Sequence, residues 1–274
     1  MFASIRMLRK TTTGRLTTRG FSSKTYRINP YNSVDTKLSQ CSGPTGVKLL
    51  GITIGQCLEN TASKFPNNTA LISIHQDIKL NYKELNHKVS EVAKSLLSLN
   101  LPPGANKIGV YAPNCMEWTL LQFACARIGY VLVNMNPSYQ VNDLRYVMDK
   151  VEINTLVMPR YLKASNYVDI VRTMIGQELT ETGQDPLCLK LSTVKNLKNI
   201  ILLDDSTVGD DPIFEFESPE QTCMQNNMIS WNDFYTRSYS ETKDSGDKLN
   251  SLFEHSVRSV GVHDPVNIQF TSGI

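Results

Sequence analysis

An α/β layered domain, with a largely parallel sheet and flanking helices, is the fold class the sequence predicts. Three observations lead there. Between Thr53 and Met158, short apolar runs bounded by Pro, Gly and Asn alternate with stretches of helical period. Their order, strand, helix, strand, helix, strand, is that of crossovers onto a parallel sheet. And Trp118–Ile128 is apolar on nearly every face, as a helix buried in such a layer is.

Residues 35–51 read as an irregular lead-in. Thr53 and Gln56 have the spacing of a capping box, in which each side chain satisfies an exposed amide at a helix start. Ile54, Leu58, Ala62 and Phe65 follow at helical spacing, and Pro66-Asn67-Asn68 ends that helix. Ala70–Ile74 and Ile78–Leu80 read as two short strands around a turn at His75-Gln76-Asp77. Asn81, with Glu84 three residues on, caps a helix whose stripe is Leu85, Val89, Val92, Ala93, Leu96 and Leu97. Leu101-Pro102-Pro103-Gly104 breaks it. Ile108–Tyr111 is a strand, Trp118–Ile128 the buried helix with Trp118 a core aromatic, and Gly129 its terminator. Val131–Val133 is a strand stopped by Pro137. Val141, Leu144, Val147, Met148 and Val151 form another helical stripe, and Thr155–Met158 a further strand. Beyond residue 160 the pattern is less regular. Asn199–Leu203 reads as a buried strand, 205–227 and 236–248 as polar and exposed, Leu249–Val260 as a helix, and Asn267–Thr271 as a last strand.

The 41% hydrophobic content of 274 residues suffices for a substantial core in one large or two modest domains, and 20% charge is an ordinary globular fraction rather than that of a disordered chain. No run approaches the ~18 apolar residues needed to cross a bilayer, which argues against a transmembrane segment. The net charge of +2 hides an asymmetry. Residues 1–34 hold Arg6, Arg9, Lys10, Arg15, Arg19, Lys24 and Arg27 and no acid, and removing them leaves 21 basic against 26 acidic side chains. The body is thus mildly acidic, which argues against nucleic acid as a partner. The Arg-, Ser- and Thr-rich opening segment has the composition of a mitochondrial transit peptide, with Arg19 before Gly20-Phe21-Ser22-Ser23 resembling a processing site. Its import would place the protein in the matrix. The six cysteines lack C-x-x-C pairing and the four histidines lack ligand spacing. The expectation is buried free thiols and no metal site.

The final residues carry the most specific signal. Asn267-Ile268-Gln269-Phe270 runs as a strand into Thr271-Ser272-Gly273, the way many phosphate-binding loops begin: hydroxyls and successive amides surround an anion where glycine permits close approach. Leu80-Asn81-Tyr82-Lys83-Glu84-Leu85, then Cys125 to Pro137, then His263-Asp264-Pro265 leading to Thr271-Ser272-Gly273, resemble in order the first three core motifs of the adenylate-forming (AMP-binding) superfamily. The likeness runs from about Leu49 to Gly273 and is greatest to mitochondrial medium-chain acyl-CoA synthetases. Tyr82 and Leu85 are read as anchors of a helix, and Gly129 and Pro137 as turn formers. Only Thr271, Ser272 and Gly273 carry over as nucleotide contacts; no catalytic residue and no metal ligand does.

The resemblance implies a two-step reaction: a fatty acid and ATP give acyl-adenylate and pyrophosphate, and coenzyme A then displaces AMP. ATP, Mg²⁺ and coenzyme A are the cofactors it implies, and fatty acid, ATP and coenzyme A the partners. Ile274 departs from the family pattern, where another Thr is expected. The expectation is therefore a presequence at 1–34 and, at 35–274, the amino-terminal part of an AMP-binding domain. It would be cut at the phosphate loop after a central strand and lack the carboxy-terminal lid, and so be inactive alone and bind none of these cofactors productively. The alternatives are a non-catalytic fatty-acid-binding or regulatory isoform that associates with the full enzyme, and an unrelated α/β domain.

Overall fold

In the computed structural model, residues 46, 48–102, 104, 106–181, 183, 185–208, 217–239 and 243–271 are described. The expected presequence, Ser272 and Gly273 lie outside them. Of the unit Met1–Leu50, Gly46 and Lys48 to Leu50 are exposed and carry no helix or strand; Gly51–Ile274 is a second, compact unit.

Helix α1 (Ile54–Lys64) starts in the expected capping box, with Gln56 N–H on Thr53 Oγ1 at 3.2 Å and Thr53 N–H on Gln56 Oε1 at 3.0 Å. Leu58 and Ala62 are buried, but Ile54 and Phe65 are exposed, a correction to the expected stripe. Gly55 is the buried residue of the first turn instead. Strands β1 (Thr69–Ser73) and β2 (Ile78–Asn81) pair antiparallel. Asn81 and Glu84 then cap α2 (Tyr82–Ser98), whose predicted stripe is buried throughout.

Next come β3 (Lys107–Val110), α3 (Met116–Ile128), β4 (Val131–Asn134), α4 (Val141–Val151) and β5 (Thr155–Met158). Gly129 ends α3 at φ 77, a left-handed position that glycine enters without the Cβ penalty. A small hairpin, β6 (Tyr161–Leu162) and β7 (Ser165–Asn166), leads to α5 (Tyr167–Ile175). Then follow β8 (Asn199–Leu202), α6 (Pro219–Gln225), β9 (Ile229–Ser230), α7 (Trp231–Thr236), α8 (Lys243–Ser259) and β10 (Asn267–Gln269). Six strands form one sheet in the order β10-β4-β3-β5-β8-β9, every neighbouring pair parallel. The expected α/β class holds.

The period of two along these strands divides the core. Ile108, Val110, Leu132, Val157 and Ile201 face a layer with residues of α1, α2, α3 and α7. Tyr111, Val133, Leu156, Met158, Ile200 and Leu202 face the opposite layer with α4 and α5. Both faces are covered, as a parallel sheet requires.

Three expectations are corrected. The segment 205–227 is not uniformly exposed: Thr207 and Asn226 are fully buried and Cys223 is buried in α6, because Ser218 and Gln221 cap a short helix that turns one face inward. The last strand lies at the sheet edge among the described residues, beside β4, rather than centrally, and is only partly buried. Of the described thiols, Cys115, Cys125 and Cys223 are buried, but Cys57 and Cys188 are exposed.

Candidate functional site

In open parallel sheets, ligands bind outside the carboxyl ends of the strands, near the point where successive connections leave in opposite directions. Here the chain moves from β3 to β4 on one side and returns to β5 on the other, so that point lies beside β3.

The loop after β4 is built for rigidity. Met135 N–H donates to the Val110 carbonyl at 3.1 Å, continuing the ladder. Ser138 N–H donates to Asn136 Oδ1 at 2.9 Å and Tyr139 N–H to the Asn136 carbonyl at 3.0 Å, an Asx-supported turn around Pro137. Beneath it, Tyr111 and Tyr167 stack with centroids 4.0 Å apart. The Tyr111 hydroxyl donates to the Tyr139 carbonyl and the Tyr167 hydroxyl to the Pro137 carbonyl, each at 2.5 Å. Burial pushes the Tyr111 hydroxyl pKa up to about 12 and raises that of Tyr167 further, so both remain donors at neutral pH.

Strand β10 comes alongside with Gln269 opposite Asn134. A side-chain relay fixes it: Trp118 Nε1–H donates to Asn134 Oδ1 at 3.0 Å, and Asn134 Nδ2–H donates to Asn267 Oδ1 at 3.2 Å. Asp264, from the His-Asp-Pro segment, closes the preceding turn by accepting from Gly261 N–H at 2.8 Å. Trp118 is thus no plain core aromatic; it is half-buried and ties α3 to the strand ends.

Between the β4 loop and β10 opens a cleft of about 560 Å³, lined by Asn134, Met135, Asn136, Tyr139, Gln269, Phe270 and Thr271. Thr271 is exposed at its mouth. Neutral amides and hydroxyls dominate the polar lining, and none of the seven is charged, so the cleft can donate to and accept from a polar ligand without supplying countercharge. Among the described residues, no cluster of three or more His, Cys, Asp or Glu is placed to hold a metal ion, and no helix is long and apolar enough to cross a membrane.

A charged clamp stands nearby. Arg160, just past β5, is 5% exposed and donates Nε–H to Asp205 Oδ1 at 2.8 Å, a second N–H to Asp205 Oδ2, and Nη1–H to the Glu217 carbonyl at 2.6 Å. Its own carbonyl accepts from Tyr167 N–H at 2.9 Å, which fixes the start of α5 and so the tyrosine below the loop.

Of the residues expected at the site, Thr271 is placed at the carboxyl edge; Ser272 and Gly273 lie outside the described residues. Asn134, Asn136, Tyr139 and Gln269 were not singled out from sequence. Asn-x-Asn-Pro directly after an apolar strand was the available signal, since it joins turn chemistry to a strand's carboxyl end.

The sheet and its polar carboxyl-edge cleft define an α/β domain built on an open parallel sheet. The chain belongs more specifically to the AMP-binding enzyme family, which matches residues 58–274. It is 32% identical over 238 residues to "Medium-chain acyl-CoA ligase ACSF2, mitochondrial" of Mus musculus, and 32% identical over 236 residues to the protein of the same name in Homo sapiens. Each match covers 86% of this chain and 34% of the relative, so the chain spans about a third of the length of these curated relatives. Among solved structures, coronafacic acid ligase from Pectobacterium brasiliense is similar with a TM-score of 0.53 at 15% identity, over 81% of this chain and 34% of that one, a likeness of fold.

Proposed function

We propose that this chain is the amino-terminal part of the AMP-binding domain of a mitochondrial medium-chain acyl-CoA ligase, and that it supplies the parallel sheet and one wall of the nucleotide-phosphate site. The observation that carries the reading is the parallel pairing of β10 with β4, which brings Thr271 beside the clamped Asn134–Tyr139 loop. In this reading the Thr271 hydroxyl and the amides of Thr271, Ser272 and Gly273 contact ATP phosphates, and the side-chain amides of Asn134, Asn136 and Gln269 orient what lies in the cleft.

The uncharged lining fits that division of labour. Neutral donors position a triphosphate, but stabilising the charge that develops in acyl-adenylate formation needs cations at close range. Among the described residues no carboxylate lines the cleft to hold Mg²⁺, so magnesium would be carried by the nucleotide, and the remaining charge would be met by segments outside those described. The chain alone is therefore proposed to be inactive. Family membership supports ATP, coenzyme A and a fatty acid as the ligands of the whole enzyme. The names of the 32% identical relatives support a medium-chain acid and a mitochondrial location.

A chimera tests this. Residues 51–271 are placed in the mouse relative in exchange for its matching segment, and octanoyl-CoA formation from octanoate, ATP and coenzyme A is followed. The chimera is expected to be active and the isolated chain not. A folded but inactive chimera overturns the ligase reading, and turnover by the isolated chain overturns the partial role.

A further inference from the structure

A second polar cavity lies at the other end of α3. That helix runs from the carboxyl end of β3 to the amino end of β4, so its last turn is remote from the Thr271 cleft. There α1, α2, α3 and α8 meet around a partly open cavity of about 200 Å³.

Its central feature is Arg127, 7% exposed. The guanidinium donates Nη1–H to the Asn86 carbonyl at 3.3 Å and to Ser90 Oγ at 2.6 Å, and Nη2–H to Asn86 Oδ1 at 2.5 Å. All three acceptors are neutral. Among the described residues, no carboxylate is within ion-pair distance of Arg127 and none accepts from its Nε–H. Burial lowers its pKa, opposed by the charge of Glu59. A buried cation without a paired anion is costly, and an anion bound beside it would offset that cost.

Further features point the same way. Gly55 sits in the first turn of α1 and lines the cavity. A Cβ there would lie 3.2 Å from Arg127 Cα, so glycine is what lets the amino end of α1 close over the arginine stem. The capping box uses the amides of Thr53 and Gln56 but leaves those of Ile54 and Gly55 as orphan donors at the positive end of the helix dipole. At the rim, Arg258 is held among the described residues by an exposed pair with Glu254 at 3.0 Å, which is weak and readily exchanged. Glu59 and Glu254 also line the cavity and oppose an anion.

We propose that this four-helix junction binds a compact phosphoryl dianion, held by the free edge of Arg127, the first-turn amides of α1 and Arg258. Free phosphate and the phosphate of a small phosphomonoester share that chemistry.

The 274-residue chain is titrated with inorganic phosphate at constant ionic strength, against chloride, and melted in both salts. Phosphate is expected to bind saturably and to raise the melting temperature above the chloride control. Arg127→Gln should abolish the effect. Arg258→Gln, an exposed change that leaves the core intact, should weaken binding by about tenfold, while Glu59→Gln should tighten it, a gain no misfolding produces. AMP added as competitor distinguishes the sources: displacement of phosphate assigns a phosphomonoester, its failure free phosphate. Equal effects of phosphate and chloride, or binding indifferent to both Arg258→Gln and Glu59→Gln, overturn the proposal. None of these residues lines the Thr271 cleft, so this failure leaves the ligase reading untouched.

Discussion

Tyr111 and Tyr167 stack face to face, 13° from coplanar, and each hydroxyl donates to a carbonyl of the same loop after β4. One tyrosine follows the strand at the centre of the sheet and the other begins a helix, so the pair sets the height of the loop above the sheet. Tyr167→Phe keeps the ring and leaves the Pro137 carbonyl unpaired. It is expected to cost about 1–2 kcal/mol in denaturant melts and to speed amide exchange in residues 135–140. The double change with Tyr111→Phe should cost less or more than the sum, because the two rings touch.

Tyr111 and two buried thiols shape alkaline stability. Burial lifts Tyr111 from 10.0 to about 12, and lifts Cys115 and Cys223 from 9.0 to about 12, with the charge of Glu117 adding to Cys115 and that of Asp233 to Cys223. Their folded values lie above their unfolded ones, so the unfolded chain releases these protons first. Stability is then complete below about pH 9 and declines as pH rises toward 12, by ~1.4 kcal/mol per pH unit for each group in play. Tyr111→Phe should flatten the decline above pH 10 by one proton equivalent. Melts between pH 8 and 11.5 check it, and an unchanged slope refutes it.

Gly109 sits in β3 where a Cβ would meet Met135 at 2.9 Å and Ile153 at 3.0 Å. Gly109→Ala should therefore overpack the layer beneath the β4 loop and destabilise by about 1–3 kcal/mol. Its exchange rates should rise first around Met135, next to the cleft.

Arg160 and Asp205 join the ends of β5 and β8. Asp205→Asn leaves a buried guanidinium facing a neutral amide. The loss should fall below the ~3–5 kcal/mol of a fully buried pair, because the Asp205 side chain keeps 32% exposure. It should also loosen Tyr167, whose amide rests on the Arg160 carbonyl, and so repeat part of the Tyr167→Phe exchange pattern at 135–140.

What could be read in the sequence was short-range. The capping boxes at Thr53 and Asn81 act across three residues, and the stripe from Leu85 to Leu97 needs only helical period, so both are found as expected. The strands up to Met158 were legible because apolar runs end at Pro, Gly or Asn. Beyond Arg160 the structure is held by distant partners, Arg160 with Asp205 and Arg172 with Asn226, and no local pattern announces these. Helix α5 is not legible although Asn166 caps it and Gly176 ends it, because its nine residues span only about two and a half turns of period. Thr271 was singled out through the motif that contains it, and the structure places it at the carboxyl edge of the sheet. The relay that positions it was hidden, since Trp118, Asn134 and Asn267 are brought together by topology alone.

That relay supplies the sharpest test of how the site is assembled. β10 is only three residues long and lies at the sheet edge, so ladder bonds to β4 alone hold it weakly. Trp118→Phe keeps a smaller aromatic ring in the half-buried position and removes the donor to Asn134 Oδ1, and Asn134 is then free to rotate away from Asn267. Global stability should fall by only about 1 kcal/mol, while amide exchange at Ile268–Phe270 should rise far more, as local opening at an edge does. Asn267→Ala should give the same local signature, and the two changes together little beyond either, because they break one chain of bonds. In the mouse chimera both should raise the KM for ATP more than they lower kcat, since they misplace Thr271 without touching the reacting carboxylate. A fall in kcat alone, or additive effects of the two changes, would show that Trp118 and Asn267 act separately and that the cleft is not positioned through Asn134.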